Sequence, residues 1–192
     1  MPGDVNSLII LDCLSALRQA FSSINFRRHN PHLSPAEVAG LFATPIVWPV
    51  KPVFSPYAST HDFYTQLRYN GVKYLLHRVA LRCFLGGDLT AGLDCYHIMH
   101  LGDITGKNFN PRHIVEETNF INQSRKGCAL FVEKWEWQFE LGALGPQWWS
   151  AKDSFMACTS ALSPVCTFIH TPRCLVWDPA WGDLEEIRAL FT

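Results

Sequence analysis

Between residues 29 and 60 the chain carries Pro31, Pro35, Pro45, Pro49, Pro52 and Pro56, and this run constrains the fold more than any other feature. Proline has no backbone N–H to donate and biases the residue before it away from helix, so a long helix or a central strand is barred here. One short helix is still allowed. Ser34-Pro35-Ala36-Glu37 reads as a helix start with proline at the first helical position, and predicts a helix to about Leu41. The rest of the stretch is expected to be extended or looped.

On either side the patterning is more regular. Leu8, Leu11, Leu14, Leu17 and Phe21 recur at helical spacing, which predicts a packing helix over 7–22 with Asp12, Ser15 and Arg18 on another face. Residues 63–69 are strand formers, Asn70-Gly71 is a hairpin signal, and 72–77 continues as a second strand or runs into a helix through Arg82. Gly86-Gly87 ends that element. Residues 92–115 read as loop-rich with a turn at Asn110-Pro111, and 114–125 as a strand end followed by a helix from about Glu117. The segment 129–165 is rich in tryptophan (Trp135, Trp137, Trp148, Trp149) and reads as core or interface, with a base-stacking platform as the alternative. Asp178-Pro179 is expected to open a C-terminal helix, with aspartate capping and proline at the first position.

Composition limits the function classes. With 48% hydrophobic and 17% charged residues in 192, the chain can pack a core as one domain, or one domain with an elaborated end. A net charge of −1 is not the footprint of a strongly basic nucleic-acid binder. Any DNA contact has to come from local clusters such as Arg27-Arg28-His29 or Arg125-Lys126. The cysteine count, 7, is odd, which argues against a fully paired disulfide framework and for zinc ligation or buried thiols. The apolar run from Leu8 lacks a basic flank and is interrupted by Asp12, so neither a signal peptide nor a membrane span is expected there, and the chain is read as intracellular and soluble.

The residues able to do chemistry gather in Cys95-Tyr96-His97-Ile98-Met99-His100, Asn110-Pro111-Arg112-His113 and Asn122-Gln123-Ser124-Arg125-Lys126-Gly127-Cys128. A neutral imidazole accepts a proton from water near neutral pH. A side-chain amide oxygen is a hard, neutral ligand suited to Mg²⁺. Together they suit metal-assisted hydrolysis of a phosphodiester.

These segments, with His113 nine residues before Asn122 and Cys128 six beyond it, resemble the His-Cys box homing endonucleases, a branch of the His-Me finger (ββα-metal) nucleases. Arg68-Tyr69 and Leu76-His77-Arg78 resemble the strand and His-Arg that precede the box, and Cys166, His170 and Cys174-Leu175 its closing motif. The resemblance covers about residues 63–128 and 166–175. It implies His97 as general base, Asn122 as the Mg²⁺ ligand, Arg68 as the residue holding the scissile phosphate, and Arg125 and Lys126 as DNA contacts. A solvated strand arginine is the other reading of Arg68.

The family has two structural zinc sites. The second would use Cys128, Cys166, His170 and Cys174, an ordinary closed zinc set, with Cys158 able to replace Cys166. A gap of about 37 residues separates Cys128 from Cys166, so the Trp-rich segment would be an insertion. Buried thiols are the alternative. At the first site Met99 and Asn108 stand where the pattern has cysteines, leaving His113 as a remnant Zn²⁺ ligand. A rebuilt site from Cys95, His100 and His113 is conceivable; apolar packing of Ile98, Met99, Phe109 and Ile114 is the expected brace.

The resulting expectation is an α+β fold: a zinc-stapled His-Me finger core with an antiparallel β-ribbon. Its parts would be an N-terminal helix and Pro-rich region (1–60), the nuclease core (61–128), the insertion (129–165) and a zinc-ligand segment with C-terminal helix (166–192). The expected function is Mg²⁺-dependent cleavage of double-stranded DNA, by a nuclear homodimer whose arm would be the segment from Trp177 to Phe191. Rival readings are a catalytically degraded, zinc-stabilised DNA- or protein-binding descendant, and an unrelated α+β domain with structural histidines.

Overall fold

The structure, a computed structural model, describes residues 2–60, 64–99, 101–122 and 178–191. The chain divides into two compact units, 1–116 with 175–192, and 117–174. The architecture is α+β: helices with two small two-stranded antiparallel sheets.

Helix α1 spans Ile10–Phe21 and buries Cys13, Ala16, Leu17, Ala20 and Phe21 along one side. Helix α2, Ile24–His29, follows at once and carries Arg27, Arg28 and His29 in its last turn; the sequence pattern had not separated it from the loop beyond. Helix α3, Pro35–Leu41, starts as its sequence predicts. The Ser34 hydroxyl accepts from the Glu37 N–H, and the Glu37 carboxylate accepts from the Ser34 N–H. The proline-rich chain beyond it is pinned by Asn30. Its amide donates to the carbonyls of Phe26 and Phe54 and accepts from the Phe54 N–H at 2.7 Å.

Strands β1 (Gln66–Tyr69) and β2 (Val72–Leu75) form the expected hairpin, with Asn70 at φ 48° and Gly71 at φ 81° in the turn. Two positive φ values are what a two-residue turn matched to strand twist requires, and Asn-Gly tolerates them best. Leu67 and Tyr74 pair across the ribbon and are buried, whereas Arg68 and Lys73 pair on the opposite face and are exposed. The chain then passes straight into α4, Leu76–Leu85, which ends on Gly86 in the left-handed conformation. α4 packs on α1, and Arg82 reaches from it to the Cys13 sulfur at 3.4 Å and to Asp88.

The stretch expected to be loop-rich contains a strand, and the strand end expected at 114 is its partner. Strand β3 (Asp94–His97) pairs with β4 (Ile114–Glu117), joined by 3₁₀ turns at Gly102–Lys107 and Pro111–His113. Four-residue strands are too short to show a period, so the turn residues around them dominated the pattern. The C-terminal helix is displaced from its expected start. Asp178 caps only a 3₁₀ turn, Pro179–Trp181, and Asp183 caps α5, Leu184–Ala189. The segment expected to reach for a partner packs on its own unit: Ile187 is 2% exposed and clusters with Phe54, Met99, Leu101 and Ile104. Phe191 adds a ring contact to His29 at 4.8 Å and lies under the Lys107 ammonium.

Candidate functional site

β3 delivers His97 into the interior, where it is 1% exposed. Its Nε2 lies 2.7 Å from the Asn108 carbonyl oxygen. A carbonyl only accepts, so Nε2 carries the hydrogen and the lone pair of the neutral ring sits on Nδ1. Around it stand Tyr64, with ring centres 5.8 Å apart and planes at 25°, and His77 at 5.0 Å. Tyr64 and His77 are themselves 5.0 Å apart, so the three rings form one cluster, with the two histidines buried and Tyr64 half-buried. His77 is 3% exposed, and its Nδ1 has no hydrogen-bond partner among the described residues. Burial holds its pKa well below the ordinary histidine range, with lesser contributions from His97 and Arg78. Sequence reasoning used His77 only as a motif match and passed over Tyr64. Neither has a local signal, because their meeting with His97 is made by tertiary packing.

The loop after His97 is braced by an amide. Met99, Asn108 and His113 come together, with Asn108 Nδ2 3.0 Å from His113 Nδ1 and 3.7 Å from the Met99 sulfur. The other end of the Asn108 side chain accepts from the N–H groups of Val53 at 3.2 Å and Asn110 at 3.1 Å. All four capacities of the amide are thus used. His113 Nε2 donates to the Val50 carbonyl at 2.7 Å, so Nδ1 is the acceptor for Asn108. Burial pushes the His113 pKa down to about 4, with the Val50 bond opposing and Arg112 assisting. The expected apolar packing is present as well: Ile98, Met99, Phe109 and Ile114 are all at most 4% exposed. What the sequence reading missed is that Asn108 holds the loop together.

This donor set does not fit zinc. The ring nitrogen that would bind a metal accepts a hydrogen bond from an amide NH₂, and the other two positions offer a thioether and that same amide. Among the described residues no three or more His, Cys, Asp or Glu side chains gather closely enough to hold a metal ion. Cys95 is a buried free thiol whose pKa burial raises to about 11, and Cys83 is raised to about 11 by the same cause. His100 of the conceivable rebuilt site lies outside the described residues, as do Arg125, Lys126, Cys128, Cys158, Cys166, His170, Cys174 and the tryptophans of 129–165.

Arg68 sits on the exposed face of the hairpin, opposite Lys73. Asn122 belongs to the second unit, on a helical turn over 119–122 whose first N–H groups are met by Thr118, and it is 6% exposed. Comparison of the chain with protein-family models, with curated proteins and with solved structures returns no match.

Proposed function

We propose that the chain is a Mg²⁺-dependent endonuclease of double-stranded DNA, resembling the His-Cys box homing endonucleases of the His-Me finger class. The observation that carries this reading is the bond from His97 Nε2 to the Asn108 carbonyl. It turns Nδ1 into the basic atom and holds the ring in one orientation, which a general base needs. The order of elements agrees: a strand ending in His97, a second strand, then a helical turn bearing Asn122.

In this mechanism His97 Nδ1 takes a proton from water as its oxygen bonds to phosphorus and the opposite P–O bond breaks. Arg68 steadies the phosphate, and Arg125 and Lys126 hold the duplex. Asn122 presents a hard, neutral oxygen of the type Mg²⁺ accepts. A bound Mg²⁺ would supply neutralisation of charge on phosphate and leaving oxygen. A structural Zn²⁺ would fall to Cys128, Cys166, His170 and Cys174. A nuclear homodimer is the assembly this reading implies.

A second reading, a catalytically degraded binding protein descended from such a nuclease, is favoured by the 1% exposure of His97. A supercoiled-plasmid nicking assay with Mg²⁺ or Mn²⁺ separates the two. The endonuclease reading expects His97→Ala to slow nicking about 10²–10⁴-fold, the usual worth of a general base, and Asn122→Ala to abolish the nicking that Mg²⁺ supports. Nicking at the wild-type rate by His97→Ala would refute the mechanism. Absence of nicking with either metal would favour the degraded form.

A further inference from the structure

A cavity of about 370 Å³ opens between the N-terminal segment and the start of α4, lined by Pro2, Gly3, Asp4, Val5, Leu75 and Arg78. The segment is fixed in place: the Gly3 N–H donates to the Lys73 carbonyl at 2.7 Å, and a Cβ at Gly3 would lie 2.6 Å from Val72 Cγ1. Arg78 is the cation of this cavity. Its Nε is buried without a hydrogen-bond partner, and no described residue forms an ion pair with it. Arg82, one turn on, shares the unmet Nε, but its two terminal nitrogens are bonded to Cys13 and Asp88. No described residue accepts from the Arg78 guanidinium, so its terminal nitrogens are left to an acceptor from outside.

Two neighbours indicate what that acceptor is. Leu75 follows Lys73 by two residues on the same strand face, so the exposed Arg68–Lys73 pair adjoins the cavity. The carboxylate in the cavity, Asp4, already accepts from the Asn6 N–H at 3.0 Å. On the next position of the same helical turn, His77 points to His97 at 5.0 Å between ring centres. A guanidinium fork matches carboxylate and phosphate alike, and the basic ribbon beside it favours the group carried by a polyanion, a phosphate.

We propose that this cavity is a phosphate subsite that takes a backbone phosphate of DNA, with Arg78 as its ligand and Lys73 on its approach. This rests on the endonuclease reading for the identity of the polymer. The subsite lies beside, not at, the His97 cluster, so its role is to hold the strand.

The test is binding of a short fluorescein-labelled duplex to the full chain, followed by anisotropy over a salt series without divalent cation. Arg78→Gln and Lys73→Gln should each lower the slope of log K against log salt by about 0.9, one phosphate's share. Arg78→Lys should keep most of the slope, and Arg188→Gln, a cation paired with Glu185, should keep all of it. Circular dichroism melts identify any variant that fails to fold, and Lys73→Gln, at an exposed position, then carries the test. An unchanged slope in both Gln variants overturns the subsite, as does absence of duplex binding by the wild type. Isothermal titration in which inorganic phosphate binds the wild type but not Arg78→Gln, with both duplex slopes unchanged, would assign the cavity to free phosphate and overturn it too. Binding that depends on Arg78 in a chain that never nicks plasmid would remove the endonuclease reading and leave the subsite standing.

Discussion

The amide centre at Asn108 and the cavity at Arg78 answer the same physical problem in opposite ways. Both place strongly polar groups under cover. At Asn108 every donor and acceptor finds a partner within the chain, as burial ordinarily demands. At Arg78 the whole guanidinium finds no acceptor among the described residues, and the cations on the neighbouring ribbon face each other. The first arrangement is what a chain does for its own stability. The second leaves a cation whose partner a ligand can supply.

The sharpest way to break this contrast is Asn108→Ala. It strands the Val53 and Asn110 N–H groups and His113 Nδ1, each a buried group worth about 1–3 kcal/mol, so the expected loss is about 4 kcal/mol, roughly a 10 °C fall in Tm. A loss below about 1 kcal/mol in urea titration would show that apolar packing alone braces the loop.

Acid tests the same centre next. In the folded chain His113 takes a proton only near pH 4, whereas its ordinary value is 6.5. Its contribution is therefore complete above pH 6.5 and drains as pH falls from 6.5 to 4, by about 3 kcal/mol in total. His77 is shifted in the same direction and adds to the acid loss. Urea midpoints measured across this window should fall steadily. A flat profile would mean that His113 is protonated in place.

The smallest effect is expected on the ribbon. Lys73→Gln removes a like-charge pair directly across two strands and should stabilise the fold by about 0.5 kcal/mol at low salt. The gain should vanish at high salt, where exposed charges are screened. Destabilisation at all salt concentrations would show that Lys73 serves the fold, and would blur the contrast drawn with Asn108.

Local signals in the sequence were sufficient for some elements. Ser34 to Glu37 marked a helix start, and Asn70-Gly71 a turn, because each works through contacts a few residues apart. Helix α2 was missed, since its six residues follow α1 too closely to show a period of their own. The candidate site divides in the same manner. His97 is singled out by its chemistry and by the resemblance in spacing. That Asn108 bonds across 55 residues to Val53, or that His77 and Tyr64 close around His97, depends on how distant segments pack. Residue type at Asn108 signalled only a departure from a cysteine pattern; its bonds to Val53, Asn110, Met99 and His113 show what it does in the loop.

The amide at Asn108 also frees this part of the molecule from its surroundings. A loop clasped by thiolates around zinc is complete only when the cell supplies the ion and keeps sulfur reduced. The segment from His97 to His113 contains no cysteine, and its one sulfur, at Met99, is fully buried. It can assemble as the chain folds, indifferent to trace-metal starvation and to mild oxidants.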